Sequence, residues 1–154
     1  LGFAMAADPT SCQSSASAYV DDLIAEGSER NMLALGGAPL RYGAFGGLHT
    51  EAVDHYLEEL GNEEALRAAV NWYRANATEE ALFGGELIGP VAVDTLFIWS
   101  DGDPYICRDP VDATADYVTG AYRLEVLEGV DHWIPENAAE TVSPWLIEHV
   151  GTQR

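Results

Sequence analysis

Lysine is absent from this sequence, and its only fixed cations are seven arginines set against 26 aspartates and glutamates, for a formal net charge of −19 at pH 7. A phosphate backbone is gripped by clustered Lys and Arg, and none cluster here, so nucleic acid is excluded as a partner and anionic membrane surfaces are disfavoured. The acidity names no substrate: high-salt adaptation and coding bias explain it equally well, and neither alters the fold. Cysteine is scarce as well. Cys12 and Cys107 are too few and too unpatterned for a metal site or a disulfide framework, and read as small apolar residues. No apolar run approaches the roughly 18 residues of a membrane helix. The opening Leu1-Gly2-Phe3-Ala4-Met5-Ala6-Ala7 lacks the basic start of a signal peptide, which makes a soluble, cytoplasmic protein the expectation. The missing initiator methionine suggests that residue 1 is a cut in a longer chain. What remains is ordinary for one globular domain, with 47% apolar and 21% charged residues.

The first half reads as helices. Ala16 to Ile24 places Tyr19, Leu23 and Ile24 on related turns. After a glycine-rich break from Gly36 to Gly47, Thr50 is the expected cap of a helix to about Leu60 with Val53, Tyr56, Leu57 and Leu60 at helical spacing, closed by Gly61. Asn62 then caps a helix from Glu63 to Asn76, with Leu66, Ala69, Val70 and Tyr73 on one face and two glutamates at its positive end. From Pro90 the pattern changes. Val91 to Trp99 is a β-branched and aromatic run ending in the turn residues Ser100-Asp101-Gly102-Asp103-Pro104. Asp109-Pro110 supplies an N-cap and a first-turn proline for a helix to Val118, and Tyr122 to Leu127 is a second strand. Gly129-Val130-Asp131-His132-Trp133 forms its loop, and Pro135 starts a final helix whose Val142, Trp145, Leu146 and Val150 form a buried stripe. The expected division is a helical region over 1–88 and a β-α-β-α region over 89–154.

Strand, helix, strand, helix implies a parallel pair with a right-handed crossover. Two parallel strands do not make a stable sheet, and the helical half offers no third, so further strands are expected upstream of Leu1 or on a partner chain. In a parallel pair the following loops leave the same edge, about 4.8 Å apart. Asp103 lies four residues beyond Trp99 and His132 five beyond Leu127, so the pattern brings a carboxylate to an imidazole at the edge where open α/β sheets place their catalysts. The carboxylate would fix the imidazole tautomer and leave the other ring nitrogen as a base. The bland alternatives are a turn aspartate and a loop histidine. Asp101 is the rival acid, while His49, His55 and His149 read as surface residues.

These segments also resemble a known family. Thr95-Leu96-Phe97-Ile98-Trp99-Ser100-Asp101-Gly102-Asp103-Pro104 is similar to the strand and acid of epoxide hydrolases and haloalkane dehalogenases, which often read Trp-Gly-x-x-Asp with the last Asp catalytic; that spacing selects Asp103. Tyr122 to Pro135 resembles the family's last strand and histidine loop. Asn71-Trp72-Tyr73-Arg74 resembles the epoxide-hydrolase cap motif, whose tyrosine bonds the epoxide oxygen, and Tyr19 is the candidate second tyrosine, with Asp22 one turn later. From periodicity alone, Tyr73 reads as a core aromatic, and the four-residue motif is what turns it toward the site. Ser100 stands where the family usually has glycine.

The resemblance implies the C-terminal part of an α/β-hydrolase fold preceded by a helical cap, with the N-terminal strands absent. By the family's layout the chain begins just after the strand before the cap, near Leu1-Gly2-Phe3. It implies an epoxide or related small apolar substrate, the N-terminal half of the same fold as partner, and no metal or organic cofactor. The chain contains no Gly-x-Asp-x-Gly or Gly-x-Ser-x-Gly elbow, so the nucleophile is expected upstream. Haloalkane dehalogenation, ester or lactone hydrolysis, and an inert fragment or interaction module are the alternatives, and a homo-oligomer stays open.

Overall fold

The structure, a computed structural model, describes residue 6, residues 8–77 and residues 89–152. Leu1-Gly2-Phe3 lies outside the described residues. Two compact units emerge, one drawn from Leu1–Ala16 and Glu86–Arg154, the other from Ser17–Gly85. In chain order the elements are α1 (Cys12–Ala16), α2 (Tyr19–Ile24), α3 (Ser28–Pro39) with a π-helical turn over Leu40–Ala44, α4 (Thr50–Leu60), α5 (Glu63–Asn76), β1 (Thr95–Ser100), α6 (Arg108–Ala113) with a 3-10 turn over Thr114–Tyr117, β2 (Tyr122–Leu127), α7 (Ile134–Asn137) and α8 (Ala139–Thr152).

The helical unit, α2 to α5, is built on the expected apolar spacings. Val53 of α4 and Leu66 and Val70 of α5 are buried with Val20, Leu40 and Phe45, although Ala69 is exposed. The Asn62 side chain accepts the Ala65 amide at 2.9 Å, satisfying one orphan donor of α5. The Gly61 amide closes α4 on the Leu57 carbonyl at 2.9 Å. Two expectations need correction. The helix expected from Ala16 to Ile24 is broken after Ala16, where the chain passes from one unit to the other. The glycine-rich break is narrower than expected, because helical turns lie on either side of Ala34–Gly37, where Leu35, Gly36 and Gly37 take left-handed φ values of 53°, 69° and 81°.

Arg74 holds this unit together at the α2–α3 turn. Its guanidinium donates to the Ile24 carbonyl at 3.3 Å, the Ala25 carbonyl and Ser28 Oγ at 3.1 Å each, and Glu29 Oε1 at 2.6 Å. The guanidinium hydrogen bond and positive charge hold Glu29 down from an ordinary 4.5 to about 2, despite its burial. A depressed carboxyl contributes stability that is present above about 4.5 and fades as the pH falls toward about 2. Arg74→Met is expected to lower the unit's thermal midpoint by several degrees, and Arg67→Met, which removes an exposed pair with Glu63 and only a 3.8 Å approach to Glu29, to do less. Glu29→Gln should destabilise at neutral pH and converge with the unsubstituted chain near pH 2, followed by circular dichroism.

In the strand unit β1 and β2 pair in parallel from Thr95↔Tyr122 to Ser100↔Leu127. The first strand is shorter than its hydrophobic run. Ahead of Thr95 only an isolated bridge, Val91↔Val118, precedes the ladder, because the Asp94 carboxylate, not a main-chain carbonyl, takes the Ala121 amide at 2.8 Å. Helix α6 starts one residue before the expected cap: Cys107 is its N-cap, and Pro110 is tolerated in the first turn. Leu127, Ala138 and Val142 form the core with Ile98, Val130, Ile134 and Trp145 packed on it. The expected buried stripe of the last helix is only half realised. Val142 is buried, but Leu146 is 48% and Val150 60% exposed, since two strands are too narrow a surface to cover it.

The cysteines are the clearest departure. Cys12 and Cys107 form a disulfide across 95 positions, correcting their reading as plain apolar residues. The fold packs α1 against α6 and so joins two residues that no local spacing connects. No helix among the described residues is long and apolar enough to cross a membrane.

Candidate active site

The register sets the site. Ser100 and Leu127 are partners at the last rung, so the loops after β1 and β2 leave together. Side chains then stitch them. Ser100 is fully buried, and its hydroxyl donates to the Val130 carbonyl at 2.5 Å, with the Leu127 carbonyl at 3.1 Å, while accepting the Gly102 amide at 3.2 Å. Asp101 donates its amide to the Leu127 carbonyl at 3.1 Å and takes the Gly129 amide on Oδ1 at 2.6 Å. The loops pack so closely at Gly102 that a Cβ there would sit 2.5 Å from the Val130 carbonyl oxygen. Asp101, the rival acid, therefore binds the histidine loop's backbone and not its imidazole.

This stitching brings Asp103 to His132. Asp103 Oδ2 lies 3.0 Å from His132 Nδ1, with the carboxylate side chain 5% and the imidazole 41% exposed. Asp103 Oδ1 accepts the amides of Tyr105 at 2.7 Å and Ile106 at 3.1 Å. The Tyr105 ring stands edge-on to the imidazole, 5.0 Å between centroids. On the other side, Asp131 accepts the Trp133 amide and the Asn137 side-chain amide, fixing the backbone around His132. An Nδ1–H donated to Asp103 leaves Nε2 with its lone pair, the tautomer a base requires.

The electrostatics agree with the geometry. Burial, the largest single influence on Asp103, pushes its carboxyl up, yet the hydrogen bonds from His132 and two amides outweigh it and leave it below its ordinary 3.8. The Asp103 hydrogen bond raises His132 above its ordinary 6.5 against the opposing effect of burial, helped by the charges of Asp103, Asp131 and Glu136. Both residues line an open, mostly apolar cavity of about 770 Å³. Thr95 to Trp99 all border it, and successive strand residues face opposite ways, so the cavity runs along the outer edge of β1.

Tyr19 and Tyr73 meet in the helical unit, edge to face at 6.3 Å, both partly buried. Trp72 packs edge-on to Tyr73 at 5.1 Å. Within Asn71-Trp72-Tyr73-Arg74, Arg74 has the anchoring work described above. His49 precedes α4, His55 lies on its exposed face and His149 sits in the last turn of α8.

The pattern of the sequence did not reveal Gln13. It is 1% exposed, donates its side-chain amide to the Tyr105 carbonyl at 2.7 Å and accepts the Cys107 amide at 3.1 Å. Its only signal was position, one residue after Cys12. Cys12, Cys107 and Asp109 are the one group of metal-ligand type among the described residues, and their two sulfurs are bonded to each other.

No protein-family model matches the chain. It is 29% identical over 99 residues to epoxide hydrolase A of Mycobacterium tuberculosis, a match covering 64% of this chain and 30% of that protein. Its structure matches that of a point mutant of an epoxide hydrolase from Bacillus megaterium with a TM-score of 0.77 at 19% identity, over 97% of this chain and 56% of the other. The chain thus spans less than two thirds of the length of either. Its fold is part of an α/β-hydrolase fold of the epoxide-hydrolase kind, and its sequence similarity is to a hydrolase of that group.

Proposed function

We propose that this chain supplies the acid and the histidine of an epoxide hydrolase whose nucleophile lies on residues outside these 154. The observation that carries the reading is the 3.0 Å contact between Asp103 Oδ2 and His132 Nδ1 at the ends of two parallel strands, beside an apolar cavity. In this reading an aspartate elsewhere in the protein attacks a ring carbon, opening the epoxide and forming an ester. Tyr73, with Tyr19, donates a hydrogen bond to the departing oxygen as negative charge builds on it. His132 Nε2 then takes a proton from water, the resulting hydroxide cleaves the ester, and Asp103 stabilises the imidazolium that forms.

In this reading the helical unit has the part of the family's cap region and the strand unit that of the end of a wider sheet. The outer edge of β1 pairs with no strand among the described residues, and a further parallel strand there would cover the apolar cavity wall. No metal takes part in these steps.

The test is an epoxide-hydrolysis assay of the 154-residue chain by itself and joined to the rest of its hydrolase fold. Diol formation is expected only from the joined protein. Turnover by the chain unaided would refute the assignment of the nucleophile, and no diol from an epoxide but halide released from a haloalkane offered in parallel would move the reading to dehalogenation.

A further inference from the structure

The mechanism above makes no use of the disulfide, yet the disulfide sits on the loop that carries the acid. Cys107 is four residues beyond Asp103, and between them Tyr105 and Ile106 give their amides to Asp103 Oδ1. The same stretch is held from outside by residues 12 and 13. Cys12 is bonded to Cys107, and the buried Gln13 amide spans the Tyr105 carbonyl and the Cys107 amide as a neighbouring strand would. Trp99 Nε1 adds a bond to the Ile106 carbonyl at 2.9 Å. A continuous path of short contacts therefore runs from Cys12 through the backbone of residues 105–107 to Asp103 and on to the imidazole.

We propose that the Cys12–Cys107 bond is a thiol-responsive switch that sets how firmly Asp103 is held against His132. The inference rests on the reading of that pair as acid and base, and adds its regulation. Cys12 is exposed whereas Cys107 is half-buried, which directs an incoming thiolate to Cys12 Sγ. Attack there breaks the S–S bond, forms a mixed disulfide and releases the Cys107 thiolate, which takes up a proton. A second thiol then displaces Cys12, leaving two protein thiols and one oxidised low-molecular-weight disulfide, a balanced two-electron exchange. With the cross-link open, the segment bearing Gln13 loses the constraint that keeps it on the loop, and residues 105–107 are free to loosen around Asp103. An oxidising compartment would keep the pair tight and a reducing one would relax it.

The test reads the imidazole, so its outcome is independent of whether the reaction is epoxide hydrolysis. His49, His55, His132 and His149 are assigned and titrated by NMR with and without dithiothreitol, with a chelator present because Asp109 lies within 4.8 Å of both sulfurs. Peptide-resolved thiol labelling should find neither Cys12 nor Cys107 free before reduction and both free after. On reduction the His132 midpoint should fall by about 0.5 pH unit toward its ordinary value, with His49, His55 and His149 unmoved. Cys107→Ser should show the lower midpoint in both conditions. Gln13→Leu, with the disulfide intact, should lower it too. Free thiols in the untreated protein would overturn the proposal, as would an unchanged His132 midpoint in the reduced protein and in Gln13→Leu, which would make the bond a structural staple only. Convergence of all four midpoints on reduction, the mark of global unfolding, would overturn it equally.

Discussion

On the proposed reading, replacing His132 by alanine in the complete protein is expected to lower steady-state turnover by about 10²- to 10⁴-fold while leaving the first covalent step in place. The two steps use different groups. Opening the ring needs a carboxylate and a hydrogen-bond donor for the oxygen, whereas breaking the ester needs water stripped of a proton, the part this reading gives to His132 Nε2. The variant should therefore accumulate protein heavier by the whole mass of one substrate, since an epoxide adds without losing an atom. Rapid quenching and intact-mass spectrometry would show it. Diol released at the unsubstituted rate, with no heavier species, would remove His132 from the mechanism.

Asp103→Asn should be nearly as damaging, up to about 10⁴-fold in turnover, the size reached when an acid-to-amide change leaves an imidazole in the wrong tautomer. Its signature is in the pH profile. As a general base His132 would work only when neutral, and Asp103 raises its pKa, so the proposed ester hydrolysis should fall away on the acid side at a midpoint above 6.5. Without the carboxylate charge that midpoint should move down even as the rate drops. Stability carries the opposite stamp. A raised histidine contributes fully below 6.5, an advantage lost as the pH climbs through its folded pKa, and the lowered Asp103 contributes above 3.8. The pair therefore stabilises most between those values, where the proposed base is already mostly protonated. Pre-steady-state rates across pH would check the shift; a midpoint that stayed in place would mean that Asp103 does not bear on the imidazole.

Local rules made part of this architecture legible. Helix α5 and strand β2 begin and end, and helix α4 ends, where periodicity, Asn62 and Gly61 place them, because each is decided by its own residues; α4 starts one residue before expectation, with His49 and not Thr50 as its N-cap. Parallel pairing followed from strand order, and with it the meeting of Asp103 and His132. Illegible were the features decided by partners distant in sequence. Gln13 sits in a polar run, Ser11-Cys12-Gln13-Ser14-Ser15, that looks like any solvated turn until a loop 92 residues away supplies a carbonyl for its amide. Ser100 read as a minor swap for glycine, and only the approach of the Val130 carbonyl makes its hydroxyl a fastener between loops. The apolar residues of α8 carry a correct helical period, but a period cannot say whether anything covers the face it marks.

The bare flank of β1 also bears on how the chain behaves at high concentration. That edge, which pairs with no strand among the described residues and lies beside an oily trough, is a template for any extended segment, including the same strand of another molecule. Copies prepared without a complement should therefore gather strand against strand as they are concentrated. Oligomers of that kind would report an unsealed seam, not a quaternary structure.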